Sequence, residues 1–386
     1  MFLIKSDTNI HQFLRILNKN YLILHYNSSF LMQTISGTNY NIHFGASGYE
    51  TLASLLLPSQ YSKIFILVDE NTVELCLPHF LSNLATEVEI EIIELEAGEI
   101  HKNIATCTEV WGVLSELGAD RKSILINLGG GVITDLGGFV ACTFKRGIDF
   151  ISVPTTLLGM VDAAIGGKNG VDLDHLKNQI GLIQEPKVVV IDSQFLNTLP
   201  SNEMRSGLAE MLKHGLIYDA LYWNKFKNLT SLNTDHLGEL IYRSIQIKNE
   251  IVIQDIQESN LRKILNFGHT LGHAIESYFL SENSEKQLLH GEAVAIGMIL
   301  ESFLSKEKKL LTHEAYQEIK YIINDLFERH TFSKEAVEKI IELLQYDKKN
   351  TFGVIQFVLL NKIGFATINH AIDKSLIYNA FEDYQN

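Results

Sequence analysis

The first half of the chain alternates short apolar runs, rich in branched residues, with longer stretches of helical periodicity. Four of the short runs predict buried strands: KIFILV at 63–68, SILINL at 123–128, DFISV at 149–153 and KVVVI at 187–191. The segments ENTVELCLPHFLSNL and His101 to Leu117 have the spacing of helices. Strands that alternate with helices in this way predict an α/β fold, with a parallel sheet covered by crossover helices.

Beyond about residue 200, helical periodicity dominates. It runs through segments 203–228, 235–256, 262–280, 290–306, 313–329 and 333–345. A late apolar pair, GVIQFVLL and IGFATI, predicts a small hairpin. At 386 residues the chain exceeds the usual size of one domain. We therefore expect two domains, residues 1–200 and 201–386, with residues 1–20 as an extension of the first.

Composition narrows the class of protein. A formal net charge of −14 argues against a partner that is a nucleic acid or an anionic membrane, because both attract basic surfaces. The 3 cysteines form no Cys-x-x-Cys and fit neither a disulfide framework nor a zinc ribbon. The start, MFLIKSDTNIHQF, lacks the pattern of a signal peptide, and no apolar run approaches the roughly 18 residues of a membrane span. We expect a cytoplasmic protein.

A glycine-rich turn follows the second predicted strand, in ILINLGGGVITDLGGFVA at 124–141. Glycines let a backbone approach a ligand closely, and amides at a helix start attract phosphate, here near Gly130, Gly131 and Val132. The spacing departs from G-x-G-x-x-G, so a tight turn without a ligand remains an alternative. LVDEN at 67–71 and PTT at 154–156 also place polar residues at strand ends, where open α/β sheets bind ligands.

The segment VDAAIGGKNGVD, at 161–172, places Asp162 and Lys168 around a Gly-Gly bend. Lys177 and Asn178 follow closely. Two lysines beside glycines suit an anion such as phosphate. The competing interpretation is a solvated surface loop.

Three helical segments carry potential metal ligands. LNFGHTLGHAIE, at 265–276, places His269 and His273 one helical turn apart. HGEAVAIGM begins with His290, and GLAEMLKHG supplies Glu210 within an apolar helix, one turn before Lys213. A catalytic zinc site typically has three protein ligands. Glu210, His269 and His290 fit that pattern and leave His273 for substrate contact or proton transfer, unless all are separately satisfied helix residues.

The order of several motifs is similar to that of the 3-dehydroquinate synthase family. They are LGGGVITDLGGF, PTTLLGMVDAAIGGK, LKNQIG, SGLAEMLKHG, LRKILNFGHTLGHAIE and LLHGEAVAIGM, within about Asp69 to Lys349. The resemblance implies a Rossmann-like N-terminal domain with a parallel-rich sheet and an all-helical, metal-binding C-terminal domain. It also implies conversion of 3-deoxy-D-arabino-heptulosonate 7-phosphate to 3-dehydroquinate and phosphate, with transient reduction of NAD+ and one Zn2+ or Co2+ ion.

The resemblance assigns residues to three roles. It implies that the metal ligands are Glu210, His269 and His290. Contacts to the nicotinamide cofactor would come from Asp69, Asn71, Glu99, Lys102, Gly130, Gly131, Val132, Asp135, Thr155, Thr156, Lys168, Lys177, the segment Phe195 to Thr198, and Glu203. Contacts to the sugar phosphate would come from Asp162, Lys168, Asn178, Lys213, Lys248, Arg262, Asn266, His273 and either Lys348 or Lys349. Arg146 matches an arginine that reaches the neighbouring subunit's site, which implies a homodimer.

We also expect Arg262, Asn266, His269 and His273 to line one helical stripe, with only His269 on the metal and the others facing the bound anion. A few positions depart from the family pattern: Ala163, Ala164, Asn169, Ile256 and Asn260. Of these, Ile256 has a bearing on the local support of Arg262.

Three alternatives remain. Related sugar-phosphate cyclases, acting for example on sedoheptulose 7-phosphate, tend to alter the positions matching Lys248, Asn266 and His273, all of which are retained here. A metal-dependent alcohol or glycerol-phosphate dehydrogenase would consume NAD stoichiometrically. A binding or scaffold protein would have no use for several separate polar clusters.

Overall fold

The computed structural model describes residues 32–173, 176–228, 234–281, 288–344 and 355–386. The chain forms two compact units that divide between Leu199 and Pro200. We refer to them as the first and second units. Lys348 and Lys349 lie outside the described residues.

The first unit is built on a seven-stranded sheet of order β1-β2-β9-β6-β5-β3-β4, in which every neighbouring pair is parallel except β1 and β2. Its strands are β1 (Ile35–Ser36), β2 (Asn41–Phe44), β3 (Ile64–Asp69), β4 (Ile90–Leu95), β5 (Ile124–Gly129), β6 (Asp149–Pro154) and β9 (Val188–Ile191). The four strands predicted from the sequence are confirmed to within one residue at each end. The prediction missed β4 because this edge strand interrupts its apolar residues with Glu91 and Glu94.

Helices flank this sheet. They are α1 (Ala46–Leu55), α2 (Glu70–Leu75), α3 (Leu77–Asn83), α4 (Ile104–Glu116) and α5 (Gly131–Thr143). The predicted helix ENTVELCLPHFLSNL is two helices that meet at Cys76, because Pro78 is tolerated in the first turn of a helix but not in its interior. Strand residues Phe65, Leu67 and Leu125 share one buried core with Val110 of α4 and Leu136 of α5.

The segment at 161–172 is part of a built structure. A π-helical turn, Gly159–Ala163, leads through Gly166 and Gly167, both with positive φ, into a hairpin of β7 (Lys168–Leu173) and β8 (Leu176–Ile183). The interpretation of this segment as a solvated loop is wrong, because β7 is buried from Asn169 to Val171.

The second unit is mainly helical. Its helices are α6 (Ser201–Tyr218), α7 (Ala220–Asn224), α8 (Thr234–Gln254), α9 (His269–Ser281), α10 (His290–Glu307), α11 (His313–Leu326), α12 (Lys334–Leu343) and α13 (Lys374–Gln385). The predicted late hairpin is present as β10 (Gln356–Lys362) and β11 (Phe365–Ala371), so the unit is not wholly helical. Across the described ranges, no helix combines the length and apolarity that a bilayer span requires.

Glycines let three helices of this unit approach backbone to backbone. A Cβ on Gly297 of α10 would lie 1.9 Å from the carbonyl oxygen of Gly268, immediately before α9. A Cβ on Gly272 of α9 would lie 3.1 Å from the carbonyl oxygen of Ala293 of α10. At the start of α10, a Cβ on Gly291 would lie 2.2 Å from the carbonyl oxygen of Ser206 of α6. Side chains near these crossings are therefore held close together.

Replacing Gly297 by alanine should destabilise the second unit by about 3 kcal/mol or more, because the added methyl group meets backbone that cannot rotate away. The matched control is Gly112→Ala in α4, where nothing lies within 4 Å of the added Cβ. That change should stabilise its helix by about 0.5–1 kcal/mol. Urea unfolding followed by circular dichroism measures both, and equal stability of the two variants would contradict the proposed tight crossing.

Candidate active-site residues

Four side chains from α6, α9 and α10 converge in the second unit. The carboxylate of Glu210 is fully buried, and its Oε1 lies 3.3 Å from Nε2 of His269 and 3.6 Å from Nε2 of His290. His273 joins them, since potential ligand atoms of the three histidines lie within 4.8 Å of one another. A carboxylate and imidazole nitrogens are the donors that Zn2+ and similar divalent ions accept, so this set fits a metal site.

The other ring nitrogens of two of these histidines have partners of their own. Nδ1 of His290 lies 3.2 Å from Oε2 of Glu276, and Nδ1 of His269 lies 3.2 Å from the carbonyl oxygen of Phe267. An acceptor at Nδ1 favours the tautomer that carries its proton there, which leaves the Nε2 lone pair for a metal. Glu276 was not predicted as a site residue, although it lies two helical turns beyond His269 on the same helix.

Charge is concentrated around Glu210. Burial by itself disfavours the ionised carboxylate, but the ammonium of Lys213, with which Glu210 is ion-paired, and the imidazole of His269 hold its pKa well below the usual range. Burial and Lys213 lower the pKa of His269. For His290, the carboxylates of Glu276 and Glu210 outweigh burial and raise the pKa to about 10. A metal ion at Nε2 of His290 would therefore displace a proton.

The expected helical stripe from Arg262 to His273 is wrong. Leu261–Asn266 is a 3-10 turn, Gly268 has φ 78, and α9 begins only at His269. The carboxylate of Glu301, fully buried on α10, accepts hydrogen bonds from the amides of Gly268 (2.7 Å) and Leu271 (3.2 Å). The periodicity of the sequence did not reveal this break because the side-chain spacing alone cannot show a left-handed glycine.

Arg262 is buried, with 1% of its surface exposed, so it is not an exposed surface charge. Its Nη1 donates to the carbonyl oxygen of Ile256 at 2.7 Å. This acceptor is a backbone atom, so the hydrogen bond to Arg262 does not depend on which residue type stands at position 256. The Asp255 carboxylate accepts hydrogen bonds from the amides of Arg262 (3.0 Å) and Asn260 (2.7 Å), which fixes the loop before the arginine.

The other expected substrate contacts of this unit differ in exposure. Lys213 and Lys248 are buried, and together with Arg262 they place three cations inside the unit. Asn266 is half-buried, and its Nδ2 donates to Oε1 of Glu258 at 2.9 Å. Glu203, expected on the cofactor side, lies half-buried in the first turn of α6.

In the first unit, the glycine turn joins β5 to α5 at the carboxyl edge of the sheet. A Cβ on Gly130 would lie 3.0 Å from Cγ2 of Thr156, and the amide of Thr155 donates to the carbonyl oxygen of Gly129 at 2.9 Å. Asp69 ends the neighbouring strand β3, and its Oδ1 caps α2 by accepting from the amides at 71 and 72. From β3 the chain passes to β4 on one side, and from β4 it returns to β5 on the other side of β3. Ligands of open α/β sheets bind at such a reversal of strand order.

A charged network lies beside the β7–β8 hairpin. Nζ of the buried Lys102 donates to Oδ2 of Asp135 and to Oδ1 of Asn178, both at 2.7 Å. Nζ of Lys177 lies 3.0 Å from Oε1 of Glu99. Burial favours the neutral form of Lys102, but the carboxylates of Asp135 and Glu99 outweigh it and raise the pKa of Lys102. The structure thus joins Asn178, which the resemblance assigns to the substrate, with four residues that it assigns to the cofactor.

The remaining expected residues of the first unit differ in exposure. Phe195 is buried and Thr198 is exposed in a 3-10 turn, Ser193–Thr198, whose start is held by Asp192. Asn71, Lys168 and Arg146 are exposed, whereas Asp162, Val132 and Thr156 are half-buried.

Comparison with known proteins identifies the family. Residues 92–206 match the family described as 3-dehydroquinate synthase N-terminal, and residues 207–350 match 3-dehydroquinate synthase C-terminal. A 3-dehydroquinate synthase from Parabacteroides distasonis is 40% identical over 336 residues, which cover 86% of this chain and 94% of that protein. This chain belongs to the 3-dehydroquinate synthase family. The resemblance inferred from the motifs is confirmed.

Solved structures share the fold of this 3-dehydroquinate synthase family member. The 2-deoxy-scyllo-inosose synthase complexed with carbaglucose-6-phosphate, NAD+ and Co2+ matches with a TM-score of 0.77 and 24% identity, over 91% of this chain and 100% of that chain. The 2-epi-5-epi-valiolone synthase from Streptomyces hygroscopicus subsp. jinggangensis 5008, with NAD+ and Zn2+ bound, matches with a TM-score of 0.77 and 25% identity, over 92% and 99% of the two chains.

Replacing Glu276 by glutamine should weaken the binding of Zn2+ or Co2+ about 10- to 100-fold, because His290 loses the carboxylate that orients it and makes it more basic. Competition with a chromophoric chelator measures the dissociation constant. Glu307→Gln at the end of α10, where Glu307 pairs with Lys306, is the control and should bind metal like the wild type. Equal affinity of all three proteins would contradict the role of Glu276.

The carboxylate of Asp255 should make stability depend on acid pH. Burial opposes ionisation, but hydrogen bonds from the amides of Asn260, Ser259 and Arg262 lower the pKa of Asp255 to about 2. Because the folded pKa lies below the unfolded value of about 3.9, the stabilisation is complete above pH 4 and is lost as pH falls toward 2.

Asp255→Asn should therefore unfold at lower urea concentration than the wild type at pH 6, and the difference should shrink between about pH 4 and pH 2. Asp373→Asn is the control, because the Asp373 side chain makes no capping hydrogen bond at α13. A difference between wild type and Asp255→Asn that stays constant across this range would contradict the assignment.

Proposed function

We propose that this chain is a 3-dehydroquinate synthase that converts 3-deoxy-D-arabino-heptulosonate 7-phosphate to 3-dehydroquinate and phosphate. The observation that carries the proposal is the convergence of Glu210, His269 and His290, in a chain whose two halves both match the family. The reaction belongs to the shikimate route to chorismate and the aromatic amino acids.

We assign the divalent ion to Glu210, His269 and His290. Oε1 of Glu210 faces Nε2 of both histidines, while each Nδ1 has its own acceptor, so the donors are already oriented. His273 is close enough to add a further nitrogen. We assign it instead to substrate contact and proton transfer, because it is half-buried and matches a substrate position of the family. Zn2+ and Co2+ both suit these donors.

We assign NAD+ to the carboxyl edge of the sheet in the first unit. The amides at the start of α5, near Gly130, Gly131 and Val132, suit the pyrophosphate. Asp69 ends β3 and Asn71 comes two residues later, and Thr155 and Thr156 follow β6, at the same edge. The remaining cofactor contacts in the proposal are Glu99, Lys102, Asp135, Lys168, Lys177, Phe195, Thr198 and Glu203.

Bound at the residues assigned above, NAD+ would supply reversible redox chemistry, and the divalent ion held by Glu210, His269 and His290 would supply Lewis-acid chemistry. The chain's residues must hold an anion at both ends of the substrate while phosphate leaves and the ring closes. Lys213, Lys248 and Arg262 are buried cations that suit this task, and Asn266 and His273 follow Arg262 in the sequence. In a chain of net charge −14, they form a local attraction for the substrate. Asp162, Lys168, Asn178 and either Lys348 or Lys349 complete the proposed set.

We further propose a homodimer in which Arg146 serves the partner's site. Arg146 is exposed in the single chain and has φ 70, next to Lys145 with φ 49, so an unusual backbone presents the two side chains. A reducing location such as the cytoplasm agrees with Cys76, Cys107 and Cys142, which are free thiols.

The activity is tested by incubating the protein with Zn2+ or Co2+, NAD+ and the seven-carbon phosphate. Phosphate and 3-dehydroquinate should form in equal amounts without net accumulation of NADH, because the hydride is returned within each turnover. A chelator should abolish the reaction, and added metal should restore it. Stoichiometric NADH would indicate a dehydrogenase, and phosphate release from sedoheptulose 7-phosphate alone would indicate a different cyclase.

Replacing Arg262 by lysine should lower kcat/KM by about 1.5–3 kcal/mol in free-energy terms, because the planar fork and one charged hydrogen bond to the anion are lost. Metal content and NAD+ affinity should stay close to those of the wild type. Steady-state kinetics with parallel metal analysis measure these quantities. Wild-type kcat/KM, or loss of the metal, would contradict the assignment of Arg262 to the substrate.

A further inference from the structure

Strands β7 and β8 pair irregularly at one position. Val171 pairs with Ile180 and Leu173 pairs with Leu176, so Asp172 faces residues 177–179. Such a bulge bends a strand and redirects its side chains, and it is frequent beside active sites. Within it, Asn178 has φ 51, in the left-handed region that asparagine tolerates better than most other residues with a Cβ.

The bulge changes where two consecutive side chains point. In a regular strand, neighbouring side chains point to opposite faces of the sheet. Here Lys177 contacts Glu99 at 3.0 Å, and Oδ1 of Asn178 accepts from Nζ of Lys102 at 2.7 Å. Both side chains therefore reach the same short segment, 99–102.

Asp172 connects the two sides of this contact. Its Oδ1 accepts a hydrogen bond from the amide of Asn178 at 2.5 Å, and its own amide donates to the carbonyl oxygen of Lys102 at 2.8 Å. The side chains of Lys102 and Asn178 then complete a closed ring of hydrogen bonds. Each member fixes the next, so the left-handed Asn178 is held from both its amide and its side chain.

We propose that Asp172 is a positioning residue, which holds the bulge of β8 in the conformation that directs Lys177 and Asn178 toward the segment 99–102. Asp172 would act through its hydrogen bonds and would not touch the substrate. The inference rests on the proposed function, in which Lys102 and Lys177 contact the cofactor and Asn178 contacts the sugar phosphate.

The competing explanation is that Asp172 only stabilises the hairpin. Asn169 provides a comparison on the same strand, because its buried amide group donates to the carbonyl oxygens of Gly167 and Gln184, outside the ring. Asn169→Ala should lower the melting temperature by weakening the hairpin, yet leave the bulge in place. Asp172→Asn keeps an oxygen that can accept from the amide of Asn178, so it serves as the conservative variant.

The experiment compares wild type, Asp172→Ala, Asp172→Asn and Asn169→Ala as full-length proteins with NAD+ and Zn2+. Asp172→Ala should raise KM for the seven-carbon phosphate about 10- to 100-fold, the range for losing a hydrogen bond to a charged group. Asp172→Asn should recover most of that loss. Asn169→Ala should show a much smaller rise in KM at an equal or larger loss of melting temperature.

Crystal structures of wild type and Asp172→Ala provide a readout that does not depend on activity. The variant should show Asn178 outside the left-handed region and a distance from Nζ of Lys102 to Oδ1 of Asn178 longer than about 3.5 Å. An Asn178 that stays in the left-handed region with its Oδ1 still near 2.7 Å from Nζ of Lys102 in Asp172→Ala, or a KM in Asp172→Ala that follows melting temperature in the same way as in Asn169→Ala, would overturn the proposal. If the wild type itself releases no phosphate, the proposed function fails, and the crystal structures still decide whether Asp172 positions Asn178.

Discussion

The second unit depends on backbone contact between helices. Gly291 brings the start of α10 onto Ser206 of α6, and Gly297 brings the middle of α10 onto Gly268 before α9. Helices in ordinary contact lie 8–10 Å apart because side chains separate them, and glycines remove that separation. These glycines therefore bring three helices close together: α6 carries Glu210, α9 carries His269 and His273, and α10 carries His290. The glycines themselves do no chemistry.

Closeness of this kind has an electrostatic cost. Glu210 and Lys213 are both fully buried, and a buried ion pair replaces hydration incompletely. The carboxylate of Glu210 lies beside the ammonium of Lys213 and the imidazole of His269, and the carboxylate of Glu276 lies beside the imidazole of His290. Each charge therefore has a neighbour of opposite sign. A divalent ion suits such surroundings because it adds positive charge where carboxylates accumulate. In the first unit, the buried ammonium of Lys102 likewise has partners, because it lies among Asp135, Glu99 and Asn178.

Apolar strands and glycine-flanked motifs were predictable from the sequence because both depend on local composition. KIFILV and SILINL became β3 and β5 since a fully buried parallel strand needs a continuous apolar run. Glu210, His269 and His290 could be grouped from ligand chemistry together with the family motifs. Asp255, Asp172 and Glu276 could not be selected in this way, because their importance lies in which backbone amide or ring nitrogen they meet. The helix break at Gly268 could not be predicted for the same reason, because it depends on contact with α10 and not on residues nearby in the sequence.

His269 and His290 are each the first residue of a helix. The start of a helix carries partial positive charge, which would repel a cation held there. The buried Glu301 accepts from the amides of Gly268 and Leu271 at the start of α9, and Glu292 accepts from the amide of Leu289 at the start of α10. Each helix start is thus neutralised by a carboxylate from α10. One helix thereby cancels the positive potential of two peptide dipoles at the place where, in the proposed function, imidazoles bind a doubly charged ion.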